Sequence, residues 1–134
     1  MNIFADTSAL YAVLDADDSK HTKAKQFWDK VIKSDDMLLC HNYILVETSA
    51  LVSRRLGMEA VYIFEQDIVP ILRIFWVCRE VHQAAISAQL MADRRSLSLV
   101  DCVSFDVMRR TGIRKAFSID RQFQDLGYEI YPNE

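Results

Sequence analysis

The chain has 134 residues, 16 Lys and Arg against 19 Asp and Glu for a formal net charge of −3, and is 51% hydrophobic with three Gly and two Pro. This suits one domain, residues 1–134, with a core of its own, and excludes a disordered or low-complexity protein. A net negative charge provides no general attraction to nucleic acid, so any such contact must rest on a local basic surface.

No apolar run approaches the roughly 18 residues that a membrane span needs, and no basic-then-apolar leader opens the sequence. A cytoplasmic protein is expected. Cys40, Cys78 and Cys102 are odd in number and lack CxxC spacing, which argues against disulfides and thiolate zinc and predicts three buried, apolar cysteines.

The first strand is Asn2 to Ala5, ending on Asp6 and turning at once into a helix through Leu10, Tyr11, Val13 and Leu14, with Thr7 and Ser8 as candidate caps. An acid at the carboxyl end of a strand lies where open α/β sheets bind ligands. Asp6 could equally serve only as the helix cap. Asp17 or Asp18 is expected to cap a second helix whose apolar stripe runs His21, Ala24, Phe27, Trp28, Val31 and Ile32. Met37 to Cys40 is a continuous apolar strand of the kind buried on both faces of a parallel sheet.

His41, read as a loop histidine, leads into a third helix, Tyr43 to Leu56, closed by Gly57. Glu47 emerges from its apolar face between Tyr43, Ile44, Ala50 and Leu51. A fourth helix, Met58 to Val69, is stopped by Pro70 and has more apolar surface than so short an element needs, which suits a partner. Ile71 to Val77 reads as a third strand and Glu80 to Asp93 as a helix. Ser98 and Asp101 form a capping-box pattern at the start of a helix, Leu99 to Thr111, that Gly112 ends. Ala116 to Ile119 is a further strand, and it too stops on an acid, Asp120. Arg121 to Leu126 is a helical turn and Tyr128 to Tyr131 an edge strand. Alternating strands and helices predict a three-layer α/β/α sandwich on a mainly parallel sheet.

Asp6, Glu47, Asp101 and Asp120 can converge on one edge of such a sheet. Gathered acids raise one another's pKa and call for a counter-ion, and all-oxygen donors select Mg²⁺ or Mn²⁺. One or two such ions commonly activate a water for in-line phosphodiester displacement.

The segments NIFADTSAL, NYILVETSALVSRRLG, SLSLVDCVSFDVMRR and FSIDRQF follow the order and approximate spacing of the acidic motifs of PIN-domain proteins. Over essentially its whole length the chain resembles a bacterial VapC-type toxin. The resemblance implies that Asp6, Glu47, Asp101 and Asp120 are catalytic and metal-binding, with Ser8 and Ser118 as supporting hydroxyls. It further implies Mg²⁺ or Mn²⁺ dependence, an RNA substrate, a homodimer and inhibition by a small antitoxin protein. The family often has another acid near the fourth. Here Asp125 stands five residues beyond Asp120 and is left out of the site, which weakens the case for a second ion.

Seven cations against three acids mark the stretch from Arg94 to Arg121 as locally basic. Arg94, Arg95, Arg114, Lys115 and Arg121 are candidate RNA contacts, whereas Arg109 and Arg110 near a helix end equally suit its dipole. Other chemistries fit less well. An aspartyl-phosphate phosphatase needs an acid two residues after Asp6, where Ser8 stands, and a phosphoacceptor domain needs paired acids at the first strand end. No Gly-rich phosphate loop is present. The rival that survives is an inactive domain of the same fold that binds RNA or protein.

Overall fold

The computed structural model describes residues 1–133. The strand β1 (Asn2–Ala5) forms because Ile3, Phe4 and Ala5 are an unbroken apolar run, and all three are fully buried, as a central strand covered on both faces requires. There follow α1 (Thr7–Leu14), α2 (His21–Ile32), β2 (Met37–His41), α3 (Asn42–Leu56), α4 (Met58–Ile63), β3 (Arg73–Phe75), α5 (Arg79–Ala92), α6 (Leu99–Thr111), β4 (Lys115–Phe117), α7 (Gln122–Asp125) and β5 (Glu129–Tyr131). The strands lie in the order β3-β2-β1-β4-β5 and every adjacent pair is parallel. Helices flank the sheet, giving the expected α/β/α sandwich with a sheet that is parallel throughout.

Register decides where the site falls. Ala5 lies opposite Phe117, so the residues that follow, Asp6 and Ser118, leave the sheet side by side. The Asp6 N–H still donates to the Phe117 carbonyl at 2.9 Å, and the Ser118 N–H to the Tyr131 carbonyl at 3.0 Å. Beneath them Phe4 packs against Phe123 and His41, with ring centroids 6.1 and 5.8 Å apart. Phe4, Phe117 and Phe123 are fully buried, each worth roughly 1.5–3 kcal/mol of transfer free energy.

Several local expectations are corrected. Lys20, with no side-chain cap, precedes α2, because Asp18 is spent on its own turn, accepting the Lys20 N–H at 2.8 Å. The expected fourth helix is α only as far as Ile63. It then widens into a π turn, Phe64–Ile68, and tightens into a 3₁₀ turn, Val69–Ile71, that contains Pro70. The proline ring would clash with the carbonyl four residues earlier, that of Gln66, and the widened turn relieves this while keeping Phe64 and Ile68 buried. The third strand is consequently shorter than expected, Arg73–Phe75. Cys40 and Cys102 are buried, but Cys78 is exposed where α5 begins. Gly57, at φ 90° and ψ 179°, ends α3 in a conformation that only glycine adopts easily; a Cβ there would meet open space, so backbone conformation and not crowding selects the glycine.

His41 is no loop residue. It is the last residue of β2, fully buried, and its Nδ1 accepts the Ile44 N–H at 3.3 Å, capping α3. Ser104 on α6 donates its hydroxyl proton to the Val100 carbonyl and lies 2.9 Å from His41 Nε2, so Nε2 must carry the ring proton and donate to Ser104. Burial pushes the His41 pKa down to about 3, which holds the ring neutral and the cap intact. Ser104→Ala strands the Nε2 proton in the core and is expected to destabilise the chain by about 1–3 kcal/mol. Urea unfolding followed by far-UV circular dichroism measures this, and an unchanged midpoint would refute the link.

Candidate active site

At the carboxyl edge of the sheet an open groove of about 460 Å³ is lined by Asp6, Ser8, Glu47, Arg54, Asp101 and Asp120, together with Thr7, Ala50, Leu51 and Ser98. The four acids singled out in the sequence thus come from four different segments and border one cavity.

Asp6 is only 5% exposed and is held by one oxygen. Its Oδ2 accepts the Ser8 hydroxyl at 2.7 Å, the Ser118 hydroxyl at 3.1 Å and, more weakly, the Ser8 N–H at 3.4 Å. Those hydroxyls accept in turn, Ser8 from the Ile119 N–H at 2.9 Å and Ser118 from the Asp120 N–H at 3.0 Å. Asp6, not Thr7 or Ser8, is therefore the cap of α1, and the loop after β4 is fastened to the same carboxylate. Oδ1 of Asp6 accepts no hydrogen bond from the described residues.

Asp101 has a similar division. One oxygen completes the capping box at the start of α6, accepting the Ser98 N–H at 3.1 Å while the Ser98 hydroxyl accepts the Asp101 N–H at 3.0 Å. Its other oxygen has no partner among the described residues. Asp120 accepts the Gln122 N–H at 3.0 Å and, at 3.4 Å, the Gln122 side-chain amide, which also donates to the Ser96 carbonyl at 3.0 Å. Gln122 thereby ties Asp120 to the loop before α6, a role that sequence inspection missed and that no local pattern signals. Glu47 is half-buried on α3, and α3 is pinned to α1 beside it by Thr48 donating to the Thr7 hydroxyl at 3.0 Å.

Burial is the largest influence on Asp6 and raises its pKa to about 6; the Ser8 and Ser118 hydroxyls oppose this, while the charges of Asp101 and Asp120 add to it. Asp101 is also raised, first by burial and then, against its bonds to Ser98, by Asp120. Asp6, Asp101 and Asp120 therefore feel one another. Among the described residues no three Asp, Glu, His or Cys side chains converge closely enough to enclose a metal ion as they stand. The acids form an open groove with free carboxylate oxygens rather than a closed cage.

The basic candidates separate. Arg121 is exposed next to Asp120, whereas Arg114 and Lys115 stand at the amino end of β4, the opposite edge of the sheet. Arg114 lies over the Tyr128 ring and donates to the Gly127 carbonyl. Arg94 and Arg95 lie exposed on the loop before α6. Arg109 and Arg110 both clamp the buried Asp106 at 2.6 Å. Arg54, which sequence inspection passed over, is the one cation among the residues lining the groove.

A parallel α/β/α sheet with an acidic groove where its central strands end defines the architectural class. Residues 3–128 match the PIN domain family, and the chain belongs to it. It is closely related to the 23S rRNA-specific endonuclease VapC20 of Mycobacterium tuberculosis, in strains CDC 1551 and H37Rv alike: 33% identical over 132 residues, covering 97% of this chain and 98% of the relative. The crystal structure of that VapC20, described as a sarcin–ricin loop cleaving toxin, superposes with a TM-score of 0.84 at 31% identity, over 94% of this chain and 95% of that one. The VapBC2 complex of Rickettsia felis, bound to a promoter DNA fragment, shares the fold at 10% identity and a TM-score of 0.69, over 97% of both chains.

The raised Asp6 pKa has a consequence for stability. Below about pH 3 the carboxyl is neutral in both folded and unfolded chains; between about pH 4 and 6 the unfolded chain ionises it freely while the folded chain, with the group buried and repelled, keeps it protonated. The resulting penalty, complete above about pH 7, is about 3 kcal/mol. In EDTA, Asp6→Asn is therefore expected to raise Tm by several degrees near pH 8 and far less near pH 4. Scanning calorimetry at both pH values checks this, and equal shifts would contradict it.

Proposed function

We infer that the groove is the metal centre of an endoribonuclease, the toxin of a type II toxin–antitoxin pair, that hydrolyses RNA phosphodiesters. The observation that carries this reading is the meeting of Asp6, Glu47, Asp101 and Asp120 on one cavity in a PIN-family chain one-third identical to an rRNA endonuclease over nearly its whole length. All-oxygen donors fit Mg²⁺ or Mn²⁺. An open groove also fits, because Mg²⁺ keeps several waters and is usually held by one or two carboxylates together with substrate phosphate, not by a protein cage.

In this reading Asp6 and Asp101 offer their free oxygens to the ion, Asp120 joins them, and Glu47 acts directly or through water. When bound, the ion lowers the pKa of a water and offsets charge on the phosphate oxygens. Ser8 and Ser118 hold Asp6 in one orientation, and Gln122 does the same for Asp120. Arg54, the one cation among the described residues that line the groove, meets the phosphate from the α3 side. Cleavage leaves 5′-phosphate and 3′-hydroxyl ends, and no side-chain nucleophile takes part. The sarcin–ricin loop of 23S rRNA is the substrate to test first, given what the Mycobacterium relative cleaves. The chain would work in the cytoplasm; no helix of the described residues is long and apolar enough to cross a membrane. A homodimer and a small antitoxin complete the proposal, with the exposed Val46, Met58 and Tyr62 of α3 and α4 as apolar surface for a partner.

Asp6→Asn and Asp101→Asn are each expected to reduce Mg²⁺-dependent RNA cleavage at least about a hundredfold with the circular dichroism spectrum unchanged, and Ser118→Ala about ten- to a hundredfold. EDTA should abolish wild-type cleavage and Mg²⁺ or Mn²⁺ restore it. An Asp101→Asn protein that still cleaves at the wild-type rate would refute the assignment, and RNA binding without any metal-dependent cleavage would make the chain an inactive binding module.

A further inference from the structure

Behind the wall that carries Asp120 lies a second cavity, of about 390 Å³, with the opposite character. Its charged lining residues are Lys20, Lys23 and Arg121, with no acid among them, and Ile119, Ile130 and Pro132 supply an apolar side. None of the three cations has a carboxylate within ion-pair distance among the described residues. The acid nearest Lys20 in sequence, Asp18, is turned onto the Lys20 backbone. The cavity is built from separate segments: the start of α2, the loop after β4, and β5 with the residues beyond it.

The two cavities share the segment from Ser118 to Arg121. Ser118 lines the basic cavity while its hydroxyl holds Asp6 in the acidic groove. Asp120 borders the acidic groove and Arg121 the basic cavity, on Cα atoms about 3.8 Å apart. A polyanion approaching the four acids meets repulsion that a cation at the centre offsets only at the bond being cut, so neighbouring phosphates need positive charge just outside the groove.

We propose that the Lys20, Lys23 and Arg121 cavity is a nucleotide subsite of the RNA strand. It holds a phosphate flanking the scissile one on its three cations, with the sugar or base against Ile130 and Pro132. The volume suits a single nucleotide, and mixed cationic and apolar lining is what a phosphate with an attached ring requires. The assignment rests on the ribonuclease reading and adds to it the path of the substrate away from the acids, over the loop after β4. It also brings in Lys20 and Lys23 at the start of α2, far in sequence from the basic stretch around α6.

Fluorescence anisotropy of a labelled sarcin–ricin hairpin RNA, titrated with protein in EDTA over a range of salt, tests this while cleavage in Mg²⁺ is followed in parallel. Lys20→Ala/Lys23→Ala is expected to bind roughly tenfold more weakly, with a slope of log affinity against log salt flatter by about 1.4, and Arg121→Ala to weaken binding in the same sense. The charge-matched Lys30→Ala/Lys33→Ala protein, altered at the far end of α2, should remain within twofold of wild type. Equal behaviour of the two lysine pairs, or no RNA binding by the wild type, overturns the proposal. Displacement of the RNA by micromolar AMP overturns the strand assignment in favour of a free-nucleotide site, whereas the expected result is no displacement at millimolar AMP. If the wild type cleaves and the lysine pairs behave alike, the subsite fails and the ribonuclease reading stands. If binding depends on Lys20 and Lys23 but nothing is cleaved, the ribonuclease reading fails and the cavity's place beside a scissile phosphate fails with it, leaving only an RNA-binding surface.

Discussion

A single carboxylate oxygen holds together the end of the sheet on which the site is built. Oδ2 of Asp6 takes two serine hydroxyls, one from the first turn of α1 and one from the loop after β4, and each serine accepts a backbone N–H from that loop. A buried carboxylate without such donors would be heavily destabilising. With them it becomes the knot between β1 and β4, and it sets the direction in which Ile119, Asp120 and Arg121 leave the sheet. The positions of the acidic groove and of the basic cavity behind it both follow from that turn.

The same economy appears at Asp101. For an acid at a helix start, capping and ligand binding look like competing explanations, yet a carboxylate has two oxygens. At Asp6 and Asp101 one oxygen is engaged by the local turn and the other has no partner among the described residues. The capping bond fixes the orientation and so aims the remaining oxygen. Asp120 is held differently, by a backbone amide and by the Gln122 side chain, which reaches across to Ser96 and spans the gap between the loops on either side of α6 and β4. Burial and the charges of neighbouring acids raise Asp6 and Asp101, an electrostatic cost that a divalent ion would offset.

Charge on the rest of the surface is sorted by what each arginine touches. Arg109 and Arg110 are consumed by Asp106, Arg114 by Tyr128 and the Gly127 carbonyl, and Arg55 lies over the ring of Tyr11. Arg54 and Arg121 have no such partner among the described residues and line the acidic groove and the basic cavity respectively. A net charge of −3 is thus compatible with a polyanionic substrate, because each cavity has at least one cation with no carboxylate within ion-pair distance among the described residues.

The amino-acid sequence by itself determined the alternation of strands and helices, the parallel sheet, the α6 capping box and the four acids. These are written in local periodicity, in turn residues and in short motifs, each readable within a few positions. It could not resolve the bent segment around Pro70, where a proline clash is relieved by a π turn whose geometry depends on keeping Phe64 and Ile68 in the core. Nor could it rank the cations, since a run of arginines around α6 looks uniform until their partners are known. The role of His41 is hidden for the same reason: its cap bond is local, but its proton is assigned by Ser104, sixty-three residues away. Only the tertiary structure decided that Arg54 lines the groove, that Gln122 and Thr48 brace its walls, and that Lys20 and Lys23 stand beside Arg121. Those neighbours are made by strand register, the pairing of Ala5 with Phe117 above all, and register is a property of two segments that no single stretch of sequence contains.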